Sequence, residues 1–336
     1  MTTPARMKAA VCRRYGPPER VQIEQVAVPV PEDDQLLVRV RATTVNRTDC
    51  GYRVASPFVI RFFSGLRRPK RPIFGTEFAG DVVGMGKDVT GFSAGDRVLG
   101  WCEGTFGAHA EYMTVRASRP LTMPIPDGRN YAEAAPSTEG SHYAVSMIHA
   151  TGLKAGDSIL IYGATGAIGS AAVQLAKAKK ATVTAVCGTA NLDMVKSLGA
   201  DRVIDYQTED FTKDPGRYDV VYDAVGKNSL FKCRHLLKPK GIYVATDRPL
   251  LHAPFMFVPV FAWWLLLAGI TKLFRGRRQM FGGPSLDPES LQWLREQILS
   301  GAFKPVIDRT YPLDQVVEAY RFVETGQKVG NVVIEV

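Results

Sequence analysis

Apolar and polar positions along this chain fall into two successive patterns. Up to about residue 125, short apolar runs at 7–12, 36–42 and 80–83 alternate with Pro- and Gly-rich punctuation. Gly95-Asp96-Arg97-Val98 turns into another such run. This spacing predicts short strands joined by turns. From residue 158 the pattern changes. Ser158-Ile-Leu-Ile-Tyr162 is an apolar run, followed by Gly163, Gly166 and Gly169 and then by a small-residue helix carrying Ala171, Ala172, Val173, Leu175 and Ala176. Residues 181–187 read as a second strand and 192–198 as a helix ended by Gly199. Residues 202–206 form a third short strand, and 218–225 and 241–246 are further buried runs. Strands alternating with helices predict a doubly wound parallel sheet.

The glycine loop carries the strongest chemical signal. A buried strand that turns sharply into a helix offers the helix's free N–H groups and partial positive charge to a phosphate. The glycines let the backbone turn, approach a pyrophosphate closely and pack helix on strand. An ordinary glycine turn is the alternative; the strand before and the helix after favour a dinucleotide site.

The 336 residues allow two domains, and 46% hydrophobic with 22% charged residues is the composition of a globular protein. No secretory apolar region follows the N-terminus, and five scattered cysteines (12, 50, 102, 187 and 233) fit free thiols in a reducing cytoplasm. The net charge of +9 concentrates in two clusters: Arg61, Arg67, Arg68, Lys70 and Arg71, and Lys272, Arg275, Arg277 and Arg278. No nucleic-acid motif accompanies them, so no nucleic-acid partner is expected; an anionic ligand or membrane surface suits them better. Residues 249–271 contain no Asp, Glu, Lys or Arg. Pro249, Pro254 and Pro259 interrupt this stretch, which leaves too short a helix to span a bilayer. It is expected to be a dimer contact with a buried helix, a lipophilic substrate wall, or a face resting on a membrane. The strip at 58–71 has the same apolar-then-basic character.

Several motifs together resemble the medium-chain dehydrogenase/reductase superfamily, in its zinc-free quinone oxidoreductase-like branch. They are Ala42-Thr-Thr-Val-Asn46-Arg-Thr-Asp49, Gly75-Thr-Glu-Phe-Ala-Gly80, Gly95-Asp-Arg-Val98, the 163–169 loop, Leu198-Gly-Ala-Asp-Arg-Val-Ile-Asp-Tyr206 and Lys328-Val-Gly-Asn-Val-Val-Ile-Glu-Val336. The resemblance implies an α/β protein with a Rossmann domain (129–272) and a mainly β GroES-like catalytic domain (1–128, completed by 273–336); a homodimer is the expected assembly. The Pro126-Asp127-Gly128 turn marks the first boundary. Zinc relatives need a Cys where Asn46 stands and a His where Thr76 precedes Glu77. Asn and Thr are not usual zinc ligands, and the structural zinc lobe retains only Cys102, so no metal is expected. Without a Lewis acid, hydride transfer to a quinone or an α,β-unsaturated carbonyl is more plausible than alcohol oxidation. A zinc-free alcohol or aldehyde reductase and a non-catalytic membrane-associated relative are the rivals. No Tyr-x-x-x-Lys occurs, which argues against the short-chain class.

The second strand ends Ala185-Val186-Cys187-Gly188-Thr189-Ala190-Asn191, with no acid before Asp193. An acid there would hold NAD ribose hydroxyls and repel a 2′-phosphate, so NADPH is the expected cofactor. The resemblance places Thr189, Asn191 and Tyr206 at the adenine ribose, with Lys196 or Arg202 available in place of the Lys some relatives carry at position 191. Helix capping is the alternative for Thr189 and Asn191. It further places Gly163, Ala164, Thr165, Gly166, Ala167, Ile168, Gly169, Ser141, Val225, Gly226 and Asn331 at the cofactor. Asn46 would sit beside the nicotinamide and bond ribose or substrate oxygen; the alternative is a turn residue. Asp49 is a second candidate, or a structural cap. Tyr52 and His142 are candidate proton donors, with packing as the alternative for His142.

Overall fold

The computed structural model describes residues 3–58, 60–246, 278–281 and 287–336. They form two compact units: Met1–Glu139 with Ile298–Val336, and Gly140–Gln297.

The first unit is built around the strand Gln35–Val45, buried along most of its length. It pairs antiparallel with Glu77–Met85, with Asn331–Glu335 and, over its first half, with Tyr112–Arg116. Arg97–Trp101 and Met123–Pro124 extend the sheet on one side, and Ile307–Pro312 on the other, giving seven strands. Arg6–Cys12 and Val21–Ala27 form a separate hairpin. Leu36, Val38, Phe78, Val98, Met113 and Val115 pack into one core, and burying each such side chain stabilises the unit by about 1.5–3 kcal/mol. The strand Gln35–Val45 runs straight into Asn46, which caps the helix Arg47–Val54. The sheet therefore aims the first candidate residue.

In the second unit six parallel strands lie in the order Arg202–Asp205, Thr182–Cys187, Ser158–Tyr162, Tyr218–Asp223, Leu237–Ala245 and Arg278–Phe281. Ile159, Leu160, Ile161, Val183, Val186, Val220 and Val221 are all buried, as a sheet covered on both faces requires. The chain order reverses between Ser158–Tyr162 and Tyr218–Asp223, and in such sheets ligands bind beyond the carboxyl ends of the two strands at that switch point. The strands expected at 181–187, 202–206 and 218–225 form within one or two residues of those bounds.

The Pro126-Asp127-Gly128 turn lies inside the first unit, which continues to Glu139. A capping box at Asn130 starts the helix Tyr131–Ala134, and Tyr131 Oη donates to Asp81 Oδ1 at 2.5 Å on the unit's sheet. The expected boundary at 272–273 and the apolar run 249–271 lie outside the described residues.

Gly169 has no room for a side chain: a Cβ there would stand 2.0 Å from the Gly163 carbonyl oxygen. Gly169→Ala should therefore destabilise the protein by about 1–3 kcal/mol, the usual cost of overpacking. Chemical denaturation checks this; an unchanged midpoint would refute the close approach.

Candidate functional site

In the second unit the chain leaves Tyr162 and turns at Gly163 with φ +84°, a region that favours glycine. Gly163 and Ala164 donate their N–H groups to the Val186 carbonyl, each at 3.2 Å, which ties the loop to the next strand. Gly166 caps the helix Ala167–Ala178 without a side-chain bond, so the first-turn N–H groups meet no capping side chain. Across the switch point Asp223, 1% exposed, accepts the N–H groups of Val225 (3.0 Å), Gly226 (2.7 Å) and Asn228 (2.7 Å) and the Tyr243 hydroxyl (3.0 Å). This knot holds Val225 so close that a Cβ on Gly163 would lie 2.3 Å from its Cγ2. The structure thus brings residues 163–169, Val225 and Gly226 together. Asp223 escaped the reading of the sequence, although an acid closing an apolar strand before a glycine was a visible signal. Ser141 and His142 are buried on the helix Glu139–Thr151, with the His142 ring edge-on to Tyr143 at 5.8 Å.

Beyond the carboxyl end of Thr182–Cys187, Thr189 opens the short turn Thr189–Asn191, and Asn191 precedes the helix Leu192–Ser197 without a side-chain cap bond. Tyr206 is exposed and shares a cavity of about 390 Å³ with Tyr162 and residues 207–211. A neighbouring cavity of about 500 Å³ adds Thr212, Lys227, Asn228 and Lys232. An acid is present here after all. Asp205, paired in register with Cys187 on the adjacent parallel strand, lies beside Thr189, whose hydroxyl donates to its Oδ2 at 2.5 Å. Its Oδ1 accepts the Gln207 N–H at 2.9 Å, and it is 7% exposed. A search along the second strand alone misses it, because the third strand supplies it. Arg202 is paired with the buried Asp214 at 2.7 Å, whereas Lys196 is exposed.

In the first unit, Asn46 and Asp49 form a reciprocal cap: Asn46 Oδ1 accepts the Asp49 N–H at 2.9 Å, and Asp49 Oδ2 accepts the Asn46 N–H at 3.1 Å. Asp49 also accepts the Gly75 N–H at 3.0 Å, and burial pushes its carboxyl up to about 8. The free end of Asn46 does something else. Its Nδ2 donates to Thr76 Oγ1 at 2.7 Å and to Glu139 Oε2. Thr76 Oγ1 also donates to Glu139 Oε2, and Thr48 Oγ1 donates to Glu139 Oε1 at 2.6 Å. Glu139 is 6% exposed, and its carboxyl is pushed well above the usual carboxylate range by burial first and then by Glu77. Glu77 takes the N–H groups of Thr138 (2.9 Å) and Glu139 (2.6 Å) and the hydroxyls of Thr138 (2.8 Å) and Thr44 (2.9 Å). Glu139 and Thr48 were not singled out in the sequence. Tyr52 packs edge-on to Phe106 at 4.6 Å, and burial pushes its hydroxyl up to about 12. Asn331 donates through both its backbone N–H and its Nδ2 to the Val306 carbonyl, at 2.8 and 2.9 Å.

A family model described as alcohol dehydrogenase GroES-like domain matches residues 32–127, and one described as zinc-binding dehydrogenase matches 198–334. The chain is 33% identical to the 2-methylene-furan-3-one reductase of Solanum lycopersicum, over 99% of this chain and 80% of that protein. It is 31% identical to the chloroplastic NADPH-dependent alkenal/one oxidoreductase of Arabidopsis thaliana, over 98% and 80%. Its structure is similar to the quinone oxidoreductase from Coxiella burnetii, with a TM-score of 0.83, 26% identity and coverage of 98% and 99% of the two chains.

The second family description raises the question of zinc. The residues do not fit it. Asn46 and Thr76 turn donor groups toward Glu139, leaving one carboxylate where a zinc site needs at least three Cys, His or acidic ligands. Among the described residues no group of three or more His, Cys, Asp or Glu could hold a metal. Purified protein should carry no stoichiometric zinc, and chelators should leave turnover unchanged. Metal analysis decides this; one tightly bound zinc per chain would overturn the assignment.

Proposed function

Because this chain belongs to the medium-chain dehydrogenase/reductase superfamily, in its quinone oxidoreductase-like branch, we propose that it transfers hydride from NADPH to a quinone or an α,β-unsaturated carbonyl without a metal. One observation carries the reading: the position at which zinc relatives hold their metal is filled by the Asn46–Thr76–Glu139 hydrogen-bond network. Acceptors that delocalise their own charge suit such a site, since the protein needs only to position them and bond their oxygen. The names of the tomato and Arabidopsis relatives, an enone-type reductase and an alkenal/one oxidoreductase, support the same substrate class.

In this reading residues 163–169 with the helix Ala167–Ala178 hold the pyrophosphate, and Val225 and Gly226 border the cofactor. Thr189, Asn191 and Tyr206 face the adenine ribose, with Lys196, Lys227 and Lys232 as nearby cations for a 2′-phosphate. Asp205 does not reverse the preference, because both of its oxygens are engaged by Thr189 and Gln207 and it is nearly buried. Asn46, held rigidly by its cap, has given both amide hydrogens to Thr76 and Glu139, so toward the ribose it acts as an acceptor through Oδ1. Ser141 and His142 remain assigned to the cofactor side.

The strip at 58–71 supports peripheral docking on an anionic membrane. Phe58, Phe62, Phe63 and Leu66 are exposed around the helix Ile60–Ser64, and Arg67, Arg68, Lys70 and Arg71 are exposed beside them. Apolar residues that can enter the interface, next to cations, match a bilayer of anionic lipid. Among the described residues no helix is long and apolar enough to cross a membrane.

Steady-state assays over a quinone and enone panel test the reaction, and NADPH should exceed NADH by at least about tenfold in kcat/KM, or ~1.4 kcal/mol. Equal use of the two cofactors would refute the preference; binding of NADPH with no turnover of any acceptor would favour a non-catalytic relative. Vesicle flotation tests the docking face. Anionic liposomes at low salt should float the protein, each cation contributing about 1 kcal/mol, and salt should release it. Arg67→Ser with Arg68→Ser should weaken flotation and leave turnover of a soluble quinone intact. Indifference to lipid charge would refute docking, and a dimer that buries the strip in sedimentation would replace it.

A further inference from the structure

In the second unit a closed ring of hydrogen bonds joins the turn after Cys187 to the end of the third strand. Thr189 Oγ1 donates to Asp205 Oδ2 at 2.5 Å, and the Gln207 N–H donates to Asp205 Oδ1 at 2.9 Å. The Thr189 N–H closes the ring by donating to Gln207 Oε1 at 2.9 Å. Thr189 and Gln207 are exposed, whereas Asp205 beneath them is 7% exposed. Among the described residues no cation pairs with Asp205, so these two donors satisfy its carboxylate. Dinucleotide folds that take NAD carry an acid about 20 residues past the glycines, where it accepts the ribose 2′-hydroxyl. Counted from Gly169, Thr189 holds that position. Gly188 before it is crowded by the same loop: a Cβ there would stand 2.9 Å from Gln207 Oε1 and 3.2 Å from the Tyr206 hydroxyl. The acid of the usual place is present, supplied by the third strand and covered by Thr189.

We propose that Thr189 sets the cofactor preference by withholding Asp205: its hydroxyl occupies the carboxylate oxygen that would otherwise accept the 2′-hydroxyl of NADH. The role of Thr189 rests on the NADPH reading above and deepens it. A carboxylate only accepts, and here Gln207 takes one oxygen and Thr189 the other. With the Thr189 proton in place, a ribose hydroxyl finds no open oxygen at Asp205. With that hydroxyl gone, the 2′-hydroxyl of NADH takes the vacated donor place beside Oδ2. The 2′-phosphate of NADPH cannot do so. It brings acceptor oxygens and negative charge to a carboxylate, and such a like-charge contact costs affinity. Thr189 thus discriminates by what it covers, and Asp205 acts on the preference only when uncovered.

A direct role for the Thr189 hydroxyl makes the opposite forecast. Its proton points to Asp205, so toward a ligand it turns only lone pairs. Lone pairs suit the 2′-hydroxyl of NADH and offer nothing to a 2′-phosphate. If Thr189 met the ribose itself, truncating it would weaken NADH; if it covers Asp205, truncating it strengthens NADH. The two roles therefore separate by sign.

The test is binding of NADPH and NADH to the full chain by fluorescence titration, with 2′,5′-ADP and 5′-AMP as probes of the adenosine end alone. Wild type should bind NADPH at least about tenfold more tightly than NADH. Thr189→Ala should tighten NADH roughly tenfold and weaken NADPH by a similar factor, and 5′-AMP and 2′,5′-ADP should follow them. Thr189→Ser keeps the hydroxyl and should keep the wild-type preference. Adding Asp205→Asn to Thr189→Ala should remove both changes, because the amide offers its oxygen to the Gln207 N–H and turns a donor outward. The role of Thr189 is overturned if Thr189→Ala weakens both cofactors alike, or weakens NADH instead of tightening it. It is equally overturned if Asp205→Asn leaves the Thr189→Ala pattern in place. Should the double variant not fold, Thr189→Ala against Thr189→Ser decides alone. A wild-type chain with equal affinity for the two nicotinamides refutes the NADPH reading, and the role of Thr189 with it, before any variant is compared.

Discussion

The first unit depends on the buried carboxyl of Glu77. Its two oxygens join the strand Gln35–Val45, through Thr44, to the segment that enters the helix Glu139–Thr151, through Thr138 and the Glu139 N–H. Glu77 itself sits on the strand Glu77–Met85 at the centre of the sheet. One side chain thus fixes where three elements meet. Removing it would take the acceptor from the buried Glu139 N–H and Thr44 hydroxyl, each at a cost of about 1–3 kcal/mol. It also fixes the backbone of Glu139, so the second carboxyl reaches the Asn46–Thr76–Thr48 cluster only because the first holds it there.

That dependence explains how a site without metal ligands keeps its geometry. A metal organises its ligands by coordination; here the same work is divided among local caps and buried acids. Asn46 is held by its reciprocal cap with Asp49, and Asp49 by the Gly75 N–H. Thr76 follows Gly75 directly and inherits its position. The Asn46 amide then has one orientation consistent with its bonds, donors toward Thr76 and Glu139 and oxygen toward its own helix.

Much of this was legible in the sequence where the physics is local. The 163–169 loop, its strand and its helix are contiguous, so glycine spacing and an apolar run suffice to read them. The motif at 42–49 likewise contains both its strand and its cap. The misses share one cause. Asp205 reaches Thr189 across a parallel strand pair, and Glu139 reaches Asn46 and Thr48 from some ninety residues away. No periodicity along the chain reports such pairings, since they follow from sheet order and from where a loop ends. Tyr52, a candidate donor near the motif, packs edge-on to Phe106, a contact that no local spacing reports.

Buried carboxyls recur through both units, and the nature of their donors separates their roles. Asp223 takes three backbone N–H groups and a tyrosine, and fixes the loop of Val225 and Gly226. Asp205 takes Thr189 and the Gln207 N–H and ties its strand end to the turn after Cys187; Asp49 takes two N–H groups and caps a helix. Where the donors are backbone amides the acid is a fastener, because its protonation would cost the bonds that justify its burial. Glu139 has side-chain partners alone among its described bonds, two of them reversible hydroxyls. Its hydroxyl partners can rotate to donate or accept, so its bonds survive in either protonation state.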